Sequence, residues 1–196
     1  LPFGESIAKD LKEFHKKNGG ISRFIKFEYF LKELLNIKYD KDMVNGLAKE
    51  YGDIVYQELL DCEVSSNLKL LKNLYPKVGW MVASGSFQVE LRTVLDKKLL
   101  SNFFNKGIFG SPDSKEEILE RELSLNNVHL PALFIGDSEY DYISASKFGL
   151  DFFFMSKWTE MEDWQGYFNS KNIHCVKNFK ELSSFLTKET KRNYEK

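Results

Sequence analysis

Cysteine is scarce in this chain of 196 residues, with Cys62 and Cys175 the only two. Two thiols in a chain this long do not make a disulfide framework, so a reducing, cytoplasmic setting is the expectation. Net charge is nearly absent: 28 basic residues face 29 acidic ones, a formal balance of −1. That balance leaves no electrostatic footprint for nucleic acid or an anionic membrane, and neither is expected as a partner. No apolar run approaches the roughly 20 residues of a membrane span. The N-terminus carries no apolar signal core. An initiator methionine is also missing, since the first residue is Leu1. Its removal normally needs a small second residue, so translation is expected to begin upstream of Leu1.

What is present is core material. Apolar residues make up 42% of the chain and aromatics 15%, with 17 Phe. Disorder is therefore excluded. The length suits one domain, or a domain with a smaller appendage.

The first third reads as helical. Ile7, Leu11 and Phe14 share one helical face, and Gly19-Gly20 stops that helix. Ser22 is an expected N-cap for a helix reaching Leu35, and Asp40 for a third helix over about 42–60. The pattern then changes. Val78–Ala83, Gly107–Gly110, Ala132–Ile135, Asp151–Met155 and Ile173–Val176 are short apolar runs of strand length. Helical segments alternate with them, over about 86–95, Ser114–Leu123, Tyr142–Phe148, Trp158–Phe168 and Phe179–Leu186, followed by a solvated tail from Lys188. Strands alternating with helices predict an α/β fold with a parallel sheet and helices on both faces. The helical first third is expected to form a separate lobe.

In open α/β sheets, ligands bind beyond the carboxyl ends of the strands. Three such ends carry suggestive groups. After Ala83 comes Ser84-Gly85-Ser86, a hydroxyl beside free backbone N–H groups at an expected helix start, suited to phosphate. A plain turn and cap would explain that triplet equally well. After the strand at Gly107 comes Gly110-Ser-Pro-Asp-Ser-Lys115. Lys115 falls in the first turn of a helix, where a cation opposes the dipole, so local stability does not explain it. After Ile135 comes Gly136-Asp137-Ser138, with Asp141 four residues on. Mg²⁺ takes oxygen ligands, often one or two carboxylates plus substrate phosphate, and Asp137 suits that role. The competing reading is that Asp137 and Ser138 only cap the next helix.

The order hydroxyl, lysine, paired acids resembles the haloacid dehalogenase superfamily of phosphohydrolases. Val82-Ala-Ser-Gly-Ser86 is similar to its second motif, Gly110-Ser-Pro-Asp-Ser-Lys115 to its third, and Gly136-Asp-Ser-Glu-Tyr-Asp141 to its fourth. The resemblance implies a phosphate-binding hydroxyl at Ser84, a charge-neutralising lysine at Lys115, and a Mg²⁺ site at Asp137 and Asp141. It implies a Rossmannoid core over residues 63–196 and an α-helical cap over 1–62. The nearest branch is that of phosphoglycolate phosphatase and β-phosphoglucomutase. The implied activity is Mg²⁺-dependent hydrolysis of a small phosphorylated metabolite. In the cap, Asn18-Gly-Gly-Ile-Ser-Arg-Phe-Ile-Lys26 is the candidate substrate loop, where Arg23 could fork onto a carboxylate or a phosphate.

One motif of that family is missing. Its first motif, a strand ending in Asp-x-Asp, supplies the nucleophile and the general acid/base. The only Asp-x-Asp here is Asp40-Lys41-Asp42, inside the helical lobe. Without a carboxylate in line with phosphorus, aspartyl-phosphate chemistry does not proceed. The family places that strand between those ending at Ala83 and Ile135, so a gap is expected there. Three explanations follow: a segment upstream of Leu1, ranked first; a non-catalytic relative that binds phosphorylated ligands; or a strand donated by another copy.

Overall fold

The structure is a computed structural model that describes residues 3–65 and 67–194, with side-chain surroundings up to residue 188. The chain opens with α1 (Glu5–Lys17) and α2 (Arg23–Tyr29), the latter running on as a π-helical turn over Phe30–Leu34. Ser22 caps α2, its Oγ accepting from Phe24 N at 3.2 Å. The helix α3 (Lys41–Asp61) starts at Asp40, whose Oδ1 accepts from Asp42 N at 2.8 Å and Met43 N at 3.0 Å. Its last carbonyls are met by Lys98, whose Nζ lies 2.7 Å from both Leu60 O and Cys62 O. A cation there also suits the negative end of the helix dipole.

Beyond these helices come α4 (Leu68–Leu74), β1 (Val82–Phe87), α5 (Gln88–Lys97), β2 (Ile108–Ser111) and α6 (Lys115–Ser124). The chain continues with β3 (Leu133–Gly136), α7 (Glu139–Lys147), β4 (Asp151–Met155), α8 (Trp164–Ser170), β5 (His174–Val176) and α9 (Phe179–Tyr194). All strand pairs are parallel: β1 with β2 in one sheet, and β3–β4–β5 in another. The α/β class with parallel sheets is as the sequence predicts. Among the described residues the strands form these two sheets, of two and three strands.

Three elements differ from the sequence reading. The run Val78–Ala83 enters the sheet late. Trp80 O accepts from Lys106 N at 2.9 Å, but the strand proper is 82–87 and includes Ser84-Gly85-Ser86. The helix α8 starts at Trp164 rather than Trp158, after a turn in which Met161 N donates to Thr159 Oγ1 at 3.1 Å. The last helix continues to Tyr194 where a solvated tail was expected, and residues 195–196 of that tail lie outside the described residues.

The chain divides into two compact units. The first gathers residues 1–62 with 79–130, the second 63–78 with 131–196. The first unit packs Phe30, Leu31 and Val44 against Ile7, Leu11, Phe24 and Phe27. Ile7 and Leu11 are among the residues that helical spacing placed on one face. The second unit is built on β4, in which Phe152, Phe153, Phe154 and Met155 are all buried. An apolar run without alternation is what a strand covered on both faces requires. Phe152 and Phe154 pack with Ala145 of α7 and Phe168 of α8. Phe153 points the other way, 5.1 Å from the Phe185 ring of α9.

Candidate functional site

In the first unit, Ser84-Gly85-Ser86 lies within β1 and forms a bulge. Ala83 pairs with Phe109 and Phe87 with Ser111, so three residues oppose Gly110 alone. Bulges bend a strand and re-aim its side chains, and they recur beside functional sites. Two glycines make this one possible. A Cβ on Gly110 would run into Ser86 O, and one on Gly85 would lie 2.5 Å from Gly20 O. The loop with the paired glycines therefore lies directly on the second-motif segment. Ser84 is half-buried and its Oγ accepts from Ser86 N at 3.1 Å. The Ser86 N–H is thereby used internally and not offered to an anion.

Lys115 is the first residue of α6 and is 6% exposed. Ser114 and Glu117 close a capping box around it: Glu117 N donates to Ser114 Oγ at 3.2 Å, and Ser114 N to Glu117 Oε2 at 2.7 Å. The bonds from Ser114 hold the Glu117 carboxyl below its ordinary range. Arg121 pairs with Asp113 at 2.5 Å. The Ser114 and Glu117 side chains thus serve to shape the turn, and the lysine is enclosed at a helix end that disfavours a cation.

Arg23 makes the fork the sequence suggested, onto the chain's own Glu90. Its Nη1 lies 3.2 Å from Oε1 and its Nη2 2.6 Å from Oε2. Nη1 also donates to Ala48 O at 3.3 Å, and the guanidinium sits 5.0 Å from the Tyr51 ring centroid. Gly52 leaves room for this, because any side chain there would meet the Glu90 carboxylate. Nothing local in the sequence marks Glu90 as the partner.

In the second unit, β3 ends at Gly136, and Asp137 is exposed just beyond it. Asp141 is 3% exposed and turned back. Its Oδ2 accepts from Ser138 Oγ at 2.7 Å and from the N–H groups of Asp137 and Ser138 at 3.2 Å each. Ser138 Oγ in turn accepts from Asp141 N at 3.2 Å, completing a capping box for α7. The capping alternative is thus satisfied by Ser138 and Asp141, and it leaves the Asp137 side chain outside the box. Gly136 has to be glycine, since a Cβ there would overlap the Asp141 side chain. Thr159 adds a tie the sequence did not signal, its Oγ1 donating to Asp137 O at 2.6 Å.

The donor set suits a hard cation in part. Asp137 offers one exposed carboxylate, while Asp141 spends Oδ2 on its cap. No cluster of three or more acidic, histidine or cysteine side chains able to hold a metal occurs among the described residues. An exposed carboxylate such as Asp137 is of the kind Mg²⁺ takes, since that ion uses one or two protein carboxylates and keeps several waters. Asp40, the first acid of the only Asp-x-Asp, caps α3 through Oδ1, as its sequence position predicts. No helix among the described residues is long and apolar enough to cross a membrane.

No protein-family model matches the chain, and no curated protein matches it. Solved structures do. A predicted phosphatase from Clostridium acetobutylicum is similar to it with a TM-score of 0.68 and 20% identity, over 93% of this chain and 89% of that one. A haloacid dehalogenase-like family hydrolase from Streptococcus pneumoniae is similar with a TM-score of 0.59 and 16% identity, over 91% of this chain and 90% of that one. The likeness is one of fold. The chain shares the α/β architecture of these two proteins, in keeping with the fold class that its alternating strands and helices predict.

Proposed function

We propose that this protein handles small phosphate esters. In a form that carries the Asp-x-Asp strand it is a Mg²⁺-dependent phosphatase acting through an aspartyl-phosphate. The observation that carries the reading is the order of groups along the parallel strands. A hydroxyl-bearing bulge ends β1, a buried lysine follows β2, and an exposed acid follows β3. Each stands at a carboxyl end, where this class of sheet binds ligands. The likeness in fold to phosphatases and hydrolases supports it.

The roles follow from the chemistry of each group. Ser84 donates its hydroxyl proton to a phosphoryl oxygen. Lys115, poorly hydrated because it is buried, lowers the energy of negative charge that develops near it. Asp137 would hold Mg²⁺, which supplies further charge neutralisation and orients the phosphoryl oxygens. Asp141 acts through Asp137 by fixing its backbone N–H. Residues 1–62 are assigned the role of a cap and residues 63–196 that of the core. Arg23, engaged by Glu90, holds the loop 18–22 in place there.

The test is release of inorganic phosphate from a panel of small phosphomonoesters, with and without Mg²⁺. The protein used is one extended through an Asp-x-Asp strand ahead of residue 1. Metal-dependent release, lost in Lys115→Met, is the expected result. The use of Asp40 as a helix cap favours a second reading for residues 1–196 taken alone, a phosphate-ligand binding protein without turnover. An extended protein that binds phosphate but hydrolyses none of the panel would establish that second reading.

A further inference from the structure

We propose that Ser111 and Ser22 are positioning residues that set the Ser84 hydroxyl as a donor to phosphate. This inference rests on the phosphate role of Ser84. Ser111 is fully buried and Ser22 is 7% exposed, so their hydroxyls must find partners inside the protein. Ser111 Oγ lies 2.7 Å from Gly85 O and 2.7 Å from Ser22 Oγ. A carbonyl can only accept, so the Ser111 proton goes to Gly85 O. The Ser22 proton then goes to Ser111, while Ser22 Oγ accepts from Phe24 N.

The next step is set by the peptide plane. The Gly85–Ser86 peptide is planar and trans, so its C=O and N–H point in opposite directions. Ser111 pins the C=O, which fixes the N–H of Ser86 on the other side. That N–H donates to Ser84 Oγ at 3.1 Å. With a lone pair of Ser84 so used, its own proton is left to point away, toward an acceptor in the crevice beyond β1. The series Ser22, Ser111, Gly85–Ser86, Ser84 passes polarisation in one direction, and each donor strengthens the next.

The loop closes over the same peptide. A Cβ on Gly85 would lie 3.0 Å from the carbonyl carbon and oxygen of Ile21, so the backbone just before Ser22 holds this segment from outside. One end of α2 and one end of β2 thus jointly orient a single hydroxyl on β1.

If Ser111 serves only to satisfy Gly85 O, its loss lowers stability and leaves anion binding alone. The experiment separates these cases. Inorganic phosphate binding is measured by calorimetry for the full chain, Ser84→Ala, Ser111→Ala and the double variant, with the thermal midpoint of each recorded. Loss of one hydrogen bond's contribution predicts about fivefold weaker binding in Ser111→Ala. Ser84→Ala binds more weakly still, and the double variant no more weakly than Ser84→Ala, because Ser111 acts through Ser84. Wild-type affinity in Ser111→Ala, or the same loss in both backgrounds, overturns the proposal. Unchanged binding in Ser84→Ala removes the phosphate role of Ser84 itself, and the proposal with it. If Ser111→Ala does not fold, Ser22→Thr and Ser22→Val give the second comparison. They share a shape and differ in the hydroxyl, so Thr should bind as wild type and Val more weakly. Equal binding by the two overturns the proposal.

Discussion

Replacing Arg23 by Ala tests whether this side chain is committed to the fold. The Arg23 and Glu90 side chains are 11% and 18% exposed and meet in a two-point fork. Removing one partner of a buried pair strands the other, at a cost of about 3 kcal/mol. The lost contact with Tyr51 adds about 0.5–1 kcal/mol. Some water reaches the pair, which lowers the first figure, so a total of about 3 kcal/mol is expected for Arg23→Ala and roughly 2 kcal/mol for Glu90→Ala. Replacing both, as Arg23→Met with Glu90→Leu, leaves no stranded charge and should cost under about 1 kcal/mol. The assay is urea unfolding followed by Trp80, the one tryptophan of its unit, in a background with Trp158 and Trp164 changed to Phe. A cycle over the two positions should give a coupling of about 2 kcal/mol. A stability for Arg23→Ala within about 0.5 kcal/mol of the parent, with no coupling, would refute the reasoning and return Arg23 to the substrate.

Two further outcomes follow from the second unit. Asp141→Ala removes the acceptor of three hydrogen bonds at a buried site and should cost about 2 kcal/mol in thermal or urea unfolding, with Asp141→Asn losing less. An exposed Asp141 with no part in the cap would show little change in either variant. Tyr167 has its phenol pushed well above the ordinary value, first by burial and then by its hydrogen bond to Glu139. A raised folded-state value means that its contribution is intact below the unfolded value of about 10 and fades as pH rises beyond it. Alkaline unfolding should therefore be less steep in Tyr167→Phe than in the parent, as followed by circular dichroism from neutral pH upward. Identical alkaline profiles would contradict this.

The parts of the structure that the sequence made legible are those set by local rules. The unbroken run Asp151-Phe-Phe-Phe-Met155 could only be a strand covered on both faces. The spacing Ser114-Lys-Glu-Glu117 announced its capping box. Lys115 stood out because a cation at a helix start opposes the dipole, and the structure buries it there.

The parts that escaped depend on contacts distant in sequence. Ser84-Gly85-Ser86 reads as a turn because serine and glycine favour turns. It becomes a bulged strand only because β2 supplies a ladder on one side and the backbone of Gly20 and Ile21 packs on the other. Arg23 offered a fork, but its partner lies 67 residues away on α5. Ser111 and Thr159 gave no signal, since single hydroxyls in loops and at strand ends are common. The double use of Ser138 and Asp141 was half-visible: serine was expected as a cap, yet Asp at the third position was assigned to a metal before its capping role.

The most direct test of the account is phosphate binding by the chain with and without Mg²⁺, in the parent and in Lys115→Met and Asp137→Asn. The account predicts binding that Mg²⁺ strengthens, that Lys115→Met abolishes, and that in Asp137→Asn no longer responds to the metal. Absence of phosphate binding under all conditions, or binding that neither substitution alters, would contradict it.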